Sequence, residues 1–307
     1  MNTLGIDTSN YTTSTALYDS RTGKAAQQRM MLPVPDGAKG LRQGDAVFLH
    51  VKQMPGLLEA LLREAPAPQA VGVSVRPRDV AGSYMPCFLA GEMAARAIAA
   101  AAKIPVRGFS HQAGHIAAAL YGADRLGLAR EAFLAFHASG GTTECLLVRP
   151  GSEAPFDVEV LGETRDLSAG QAIDRVGVML GLGFPAGPEL EKLAARSMQP
   201  PRPAKPVLKG GDCCLSGLEN QCAAMLERGA PPTDIAAYCQ ASVAETVLAM
   251  AKTAQKLHPG LPFVFAGGVV SNAYIRGALD AQISDAVFAP GELSTDNAVG
   301  AAVLCQI

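Results

Sequence analysis

Two histidines stand four residues apart in His111-Gln112-Ala113-Gly114-His115. On a helix, residues at i and i+4 share one face about 5–6 Å apart, so both imidazoles can reach one metal ion. Only 5 histidines occur in 307 residues, and this pair directly follows a strand-like segment. That favours a metal pair over two unrelated surface histidines. Peptide hydrolysis of the H-E-x-x-H kind needs Glu after the first His as general base. Here that position is Gln112. A third ligand candidate is Asp296, in Ser294-Thr295-Asp296-Asn297. It lies where the last helical stretch begins, so it is equally a natural helix-start residue. Spacing alone does not choose.

Asp7-Thr8-Ser9 and Ser139-Gly140-Gly141-Thr142 each follow a short apolar strand. Such turns expose successive N–H groups that can cradle phosphate oxygens. An Asp in one of them can hold a cation directly or through water. Plain hairpins have the same pattern, but two equivalent turns could face one phosphate chain. In Ala266-Gly267-Gly268-Val269-Val270-Ser271-Asn272, glycines follow a buried strand, and Ser271 or Asn272 caps the next helix. Glycine here permits close approach of adenine or its ribose, and also makes an ordinary strand-to-helix connection. Asp174 is a charge in an apolar helical stretch. It suits a ribose hydroxyl, or an ion pair with Arg175 or Arg78.

The elements that must position these residues read as follows. Leu4-Gly5-Ile6 and the alternating segment from Thr12 to Tyr18 form a hairpin around Thr8-Ser9-Asn10. Arg42 to Glu64 has helical spacing, Ala70 to Val75 is a short buried strand, and Ala81 to Lys103 is a helix of small residues. The strand–turn–strand unit then recurs about 130 residues on, from Ala132 to Val148, as a weak internal repeat. Helices are expected at Ser168 to Leu180, Pro188 to Arg196, Leu215 to Glu227, Thr233 to Leu257, Asn272 to Gln282 and Thr295 to Leu304. Short strands cover Phe263 to Ala266 and Ala286 to Phe288, and Pro200 to Lys209 is a Pro-rich basic loop. Strands alternating with helices define an α/β protein. Two similar halves imply two α/β lobes with a cleft between them.

Composition narrows the class. Apolar residues are 49% and charged residues 18%, enough apolar surface to exclude disorder. No apolar run approaches the ~20 residues of a membrane span, and the start lacks the regions of a signal peptide. Twenty-six basic against 28 acidic residues leave a net charge of −2 and no global footprint for nucleic acid. Arg76, Arg78, Arg202, Lys205 and Lys209 are the candidates for a local basic patch. The 7 cysteines include no C-x-x-C pair and read as small buried hydrophobes of a cytoplasmic protein, with a redox or metal role for Cys213, Cys214 and Cys222 as the alternative.

In this order the segments resemble the TsaD family, once called glycoproteases, of the actin-like, sugar-kinase and heat-shock-ATPase (ASKHA) superfamily. The resemblance runs nearly end to end. It rests on Gly5-Ile6-Asp7-Thr8-Ser9, His50, His111 to His115, Ser139-Gly140-Gly141, Ala169-Gly170, Asp174, Phe184-Pro185 with Gly187, Leu215-Ser216-Gly217-Leu218, Gly267-Gly268 with Asn272, and Thr295-Asp296-Asn297. It implies a duplicated, two-lobed fold with an interlobe cleft. Residues 1–107, joined by a terminal helix at about 291–307, would form one lobe and residues 108–290 the other. It implies transfer of a threonylcarbamoyl group from its adenylate to adenosine in tRNA. His111, His115 and Asp296 would then bind one divalent ion, iron or zinc with magnesium as a further candidate. Asp7, Ser9, His137, Ala138, Ser139, Gly140, Gly141, Asp174, Gly187, Gly267, Gly268 and Asn272 would hold ATP or the acyl-adenylate. Implied partners are tRNA and subunits of the TsaB and TsaE type, in a homo- or heterodimer, with no membrane. Departures from the family pattern are Ala113 for Glu, Thr142 for His, Gln171 for Glu, Leu167 for Asp, and Arg76-Pro77-Arg78 where the family has Gly-Pro-Gly. By the resemblance they cluster around the cleft and bear on the acyl and acceptor side. Two alternatives follow: a paralogue using ATP or an acyl- or carbamoyl-adenylate on a non-tRNA substrate, and a non-catalytic scaffold paired with a true family member.

Overall fold

A computed structural model describes residues 1–9, 11–33 and 41–307 of the chain; the expected turn residue Asn10 lies outside them. Strand β1 (Asn2–Asp7) is buried along its whole length and pairs antiparallel with β2 (Thr12–Asp19), with Leu4 opposite Leu17. Strand β3 (Lys24–Met31) extends this hairpin at the edge. Its sequence, KAAQQRMM, has no apolar alternation because its side chains are largely exposed, which is why it carries no strand signal. Helix α1 (Gln43–Leu62) crosses over to β4 (Ala70–Arg76), which lies parallel beside β1. Helix α2 (Phe88–Ala102) and β5 (Val106–Ser110) follow, giving sheet order β3-β2-β1-β4-β5. The α2 helix begins at Phe88 rather than Ala81; Pro86 disfavours helical backbone at the residue before it. Helix α3 (His111–Gly122) leaves β5 directly.

The second half repeats this plan. Strands β6 (Phe133–Ala138), β7 (Thr143–Pro150) and β8 (Phe156–Glu163) form an antiparallel meander. Helices α4 (Ala169–Met179) and α5 (Gly187–Ala194) come next. A small hairpin of β9 (Val207–Lys209) and β10 (Asp212–Cys214) occupies the end of the stretch expected to be loop. Helices α6 (Ser216–Glu227) and α7 (Pro232–Leu257) lead to β11 (Phe263–Ala266), parallel beside β6. Then come α8 (Ala273–Asp280), β12 (Ala286–Phe288) and α9 (Val299–Leu304). The second sheet runs β8-β7-β6-β11-β12, the first sheet's order strand for strand. The weak repeat in the sequence is therefore a duplication of the whole sheet. Phe265 stacks on Phe136 and Phe288 of the adjacent strands and on Phe263 of its own, and with α7 these rings form the second core. Burying each such ring contributes about 1.5–3 kcal/mol.

Two compact units result: Met1–Arg130 with Pro150–Asp157 and Asp296–Ile307, and Glu131–Arg149 with Val158–Thr295. The boundary drawn from the sequence, after residue 107, thus lies inside the first unit. The reason is helix packing. Helix α3 packs against α9, and α9 also covers β1, β2 and β4. These two helices occupy equivalent places, each following the last strand of its repeat. All 7 cysteines are free and all but Cys214 buried. Among the described residues no helix is long and apolar enough to cross a membrane.

Candidate metal site and ligand turns

Helix α3 is rich in alanine, a strong helix former, and Gln112 through Leu120 are all buried. Its N-cap is Ser110, whose extended backbone lets Oγ accept the Ala113 N–H at 3.1 Å. The Ser110 hydroxyl donates in turn to Asp79 Oδ2 at 2.5 Å, and Arg76 Nε donates to Asp79 Oδ1 at 2.9 Å. The Gln112 N–H is taken by the Pro77 carbonyl at 3.1 Å. The Arg76 to Asp79 segment thereby fastens the start of α3, and Arg76 is ion-paired rather than open for a basic patch.

Within this first unit His111, His115 and Asp296 converge. The two Nε2 atoms lie 2.9 Å apart, and Asp296 Oδ1 is 3.5 Å from each. A triangle with those sides has a centre about 1.9 Å from every corner, close to zinc–nitrogen and zinc–oxygen bond lengths of about 2.0–2.2 Å. Among the described residues they are the one such cluster able to share an ion. The choice left open for Asp296 is resolved by its neighbour. Asn297 Oδ1 accepts the N–H groups of Val299 and Gly300 at 3.0 and 3.4 Å, so Asn297 caps α9 and Asp296 is left to face the histidines. The α9 helix accordingly starts at Val299, not Thr295.

Asp7, only 1% exposed, ends β1 beneath the same cluster. Its Oδ2 lies 2.8 Å from His111 Nδ1, and its Oδ1 accepts Ser9 N at 2.9 Å and Ser9 Oγ at 2.5 Å. Burial works against the charged form of every group here, but the facing charges outweigh it at three of four. His111 is raised to about 10 by the Asp7 and Asp296 carboxylates despite its burial. Desolvation tends to raise Asp296, yet hydrogen bonds from His111 and His115 hold it below the usual carboxylate range. Asp7 is likewise lowered, chiefly by His111. His115 is lowered, by burial first and by the neighbouring His111 charge second. A donor set of two imidazoles and one ionised carboxylate with open positions fits a divalent ion of the iron or zinc type. His50, on α1, is buried with Nδ1 2.8 Å from Thr13 Oγ1.

In the second unit, the parallel strands β6 and β11 bring their carboxyl ends together, Ala266 opposite His137. Open α/β sheets bind ligands at such ends. Gly267 has φ +104°, and a Cβ there would lie 2.1 Å from the Ala138 carbonyl oxygen, so only glycine fits. The Ser139 turn closes on itself: Ser139 N donates to Thr142 O at 2.8 Å, and Ser139 Oγ accepts Gly141 N and Thr142 N at 3.3 and 3.1 Å. The start of α4 braces it, with Ser168 Oγ donating to Gly140 O at 2.8 Å and Gly170 N to Ser139 O at 3.1 Å. Gly140 and Gly141 stay exposed. Asp174 accepts the Ala186 N–H at 2.8 Å and one from Gly187, so these two expected site residues meet; partial burial raises its carboxyl. Arg175 pairs with Glu219 instead. Asn272 caps α8 through Ile275 N at 3.0 Å, while its amide donates to Gln240 at 3.3 Å. Gly268 opens the short turn that leads to it.

Sequence reasoning missed several groups. Glu144, 2% exposed, lies opposite His137 across β6 and β7, with Oε1 4.0 Å from its Nδ1. Its one signal is a charge inside an apolar strand. Asp79 and Ser110 carry no signal beyond being ordinary cap and turn residues.

Duplicated five-stranded sheets of order 3-2-1-4-5 with a helix after each last strand define the actin-like, sugar-kinase class. Solved structures agree. Full-length HypF in its phosphate- and nucleotide-bound form superposes with a TM-score of 0.63 at 15% identity, covering 99% of this chain and 55% of that one. A ROK family glucokinase from Streptomyces griseus with glucose and AMPPNP superposes at 0.54 and 14% identity, covering 99% of both. The family model described as tRNA N6-adenosine threonylcarbamoyltransferase matches residues 45–303. The proteins of that name from Granulibacter bethesdensis and Aromatoleum aromaticum are 33% and 32% identical, over 96% and 97% of this chain and 85% and 88% of theirs. The chain belongs to the TsaD family, whose members are acyltransferases.

Proposed function

We propose that this chain transfers a threonylcarbamoyl group from its adenylate to N6 of an adenosine in tRNA, with a bound divalent ion and a nucleotide ligand. The observation that carries the metal part is the triangle of His111, His115 and Asp296, sized for one ion. The substrate class rests on family membership. A bound ion supplies Lewis-acid polarisation of a carbonyl or phosphate oxygen and a template for the acyl-adenylate.

The chain's own residues do the rest. His111 and His115 would ligate through Nε2 and Asp296 through Oδ1. The exposed Gly140 and Gly141 backbone would meet a phosphate and stabilise charge on the departing AMP. Gly267 and Gly268 would admit the nucleoside, with His137, Ala138, Ser139, Asp174, Gly187 and Asn272 shaping its surroundings. The amine forms its C–N bond as the acyl carbon's bond to the phosphate oxygen breaks, and one amine proton is released. Holding both reactants supplies much of the rate. The protein would work in the cytoplasm with TsaB- and TsaE-type subunits, which would supply tRNA contacts that a net charge of −2 does not.

The test is a reconstituted reaction with tRNA, acyl-adenylate and those subunits. Modified adenosine should form with the wild type and fall to background with His111→Ala. A wild type that consumes the adenylate but leaves tRNA unmodified favours the second reading, a paralogue with another acceptor. That reading draws on Arg76 and Arg78, which stand where the resemblance implies glycines, with Arg76 ion-paired to Asp79. The Gln171 departure does not add to it, because Gln171 completes a capping box with Ser168 as Glu would.

A further inference from the structure

We propose that Asp7 is a positioning residue of the metal site, acting on the ion through His111 rather than on a phosphate or cation directly. The inference rests on the reading that His111, His115 and Asp296 hold an ion. A neutral imidazole carries one N–H. If Nε2 is to offer its lone pair to the ion, the N–H must sit on Nδ1 and find an acceptor. Asp7 Oδ2 is that acceptor, at 2.8 Å. The carboxylate cannot easily turn away, because Ser9 N and Ser9 Oγ both donate to its other oxygen. At 1% exposure it also has no open edge for an incoming phosphate or cation.

Charge points the same way. A buried charge is costly unless compensated. Asp7 and Asp296 together balance a divalent ion, so the loaded cluster is neutral. Asp7 ends β1 and His111 opens α3, 104 residues later in the chain. The bond therefore sets the ring's orientation from the sheet, independently of the helix that carries it.

The test uses the full chain with Co2+ as probe. Wild type should bind one ion, and His111→Ala should abolish binding. Asp7→Ala should weaken Co2+ about 10- to 100-fold, as loss of a partner behind a ligating histidine does, and should change the visible absorption bands. Asp7→Asn keeps an acceptor but no charge, and should fall between the two. In the Zn2+-loaded protein, the downfield proton resonance of the His111 Nδ1–H should shift with Asp7→Asn and vanish with Asp7→Ala. A purely structural role predicts weaker folding with an unchanged resonance. If Asp7→Ala fails to fold, the isosteric Asp7→Asn decides alone. Undiminished affinity and an unshifted resonance in Asp7→Asn overturn the proposal while leaving the metal reading intact. Undiminished binding in His111→Ala overturns both.

Discussion

Gly300, one residue into α9, approaches the Gly114 carbonyl of α3 so closely that an added Cβ would lie 1.8 Å from that oxygen. An ordinary carbon–oxygen contact is about 3.3 Å. Gly300→Ala must therefore push the two backbones apart by about 1.5 Å. Neither atom is a flexible side-chain end, so the strain has nowhere local to go. Overpacking of this kind costs about 1–3 kcal/mol or more, and each kcal/mol lowers the melting temperature by about 2–4 °C in a protein of 150–250 residues. The larger consequence is at the proposed metal site. His111 and His115 ride on α3, and Asp296 stands three residues before α9. Opening that joint by about 1.5 Å stretches the two 3.5 Å edges toward about 5 Å, whereas one ion with bonds of about 2.1 Å spans at most about 4.2 Å. Gly300→Ala should thus melt several degrees lower and lose most of its Co2+ affinity, read by thermal denaturation and Co2+ titration. Gly114→Ala is the contrast. Its Cβ would meet Ser74 Oγ at 3.9 Å and Ala301 N at 4.0 Å, ordinary contacts. Removing glycine from a helix interior there should stabilise by about 0.5–1 kcal/mol. A Gly300→Ala protein with wild-type melting and wild-type Co2+ binding would refute the reasoning.

Three further expectations follow. Asp296→Ala should drop bound metal from about one ion per chain to near zero by elemental analysis, because two imidazoles alone leave the site a ligand short. Ser110→Ala should cost about 1 kcal/mol of stability in chemical denaturation, and hydrogen exchange should quicken at the first turn of α3, where its cap is lost. Asp166 accepts N–H groups from Leu215 and Ser216 and the Ser216 hydroxyl, which hold its carboxyl below the usual value against the opposing effect of desolvation. A carboxylate lowered by folding stabilises fully above its unfolded value, near 3.9, and that stabilisation is lost as pH falls through the folded value. Melting of the wild type should therefore drop more steeply below about pH 4 than that of Asp166→Asn; parallel curves would contradict this.

The candidate site was legible in the sequence where chemistry depends on short spacing. His111 and His115 lie on one helical face whatever surrounds them, and Ser139-Gly140-Gly141 is a turn on composition alone. The fold was legible where burial imposes a pattern, as in β1, β6 and β11. It was not legible at β3, whose exposed side chains need no apolar face, or in the hairpin of β9 and β10, three residues a strand amid prolines. The capping role was placed on Asp296 or left open, because Asp and Asn at adjacent positions look alike until the chain direction before α9 is known.

By itself the sequence determined the α/β class and the repeat and singled out the candidate metal donors, since these follow from local periodicity and residue type. Only the tertiary structure decided that the repeat covers the whole sheet, that α9 completes the first unit, and that Asp7 stands behind His111 with Gly300 against Gly114. Those depend on backbone approaches between segments more than 100 residues apart, and side-chain spacing along the chain carries no information about such distances.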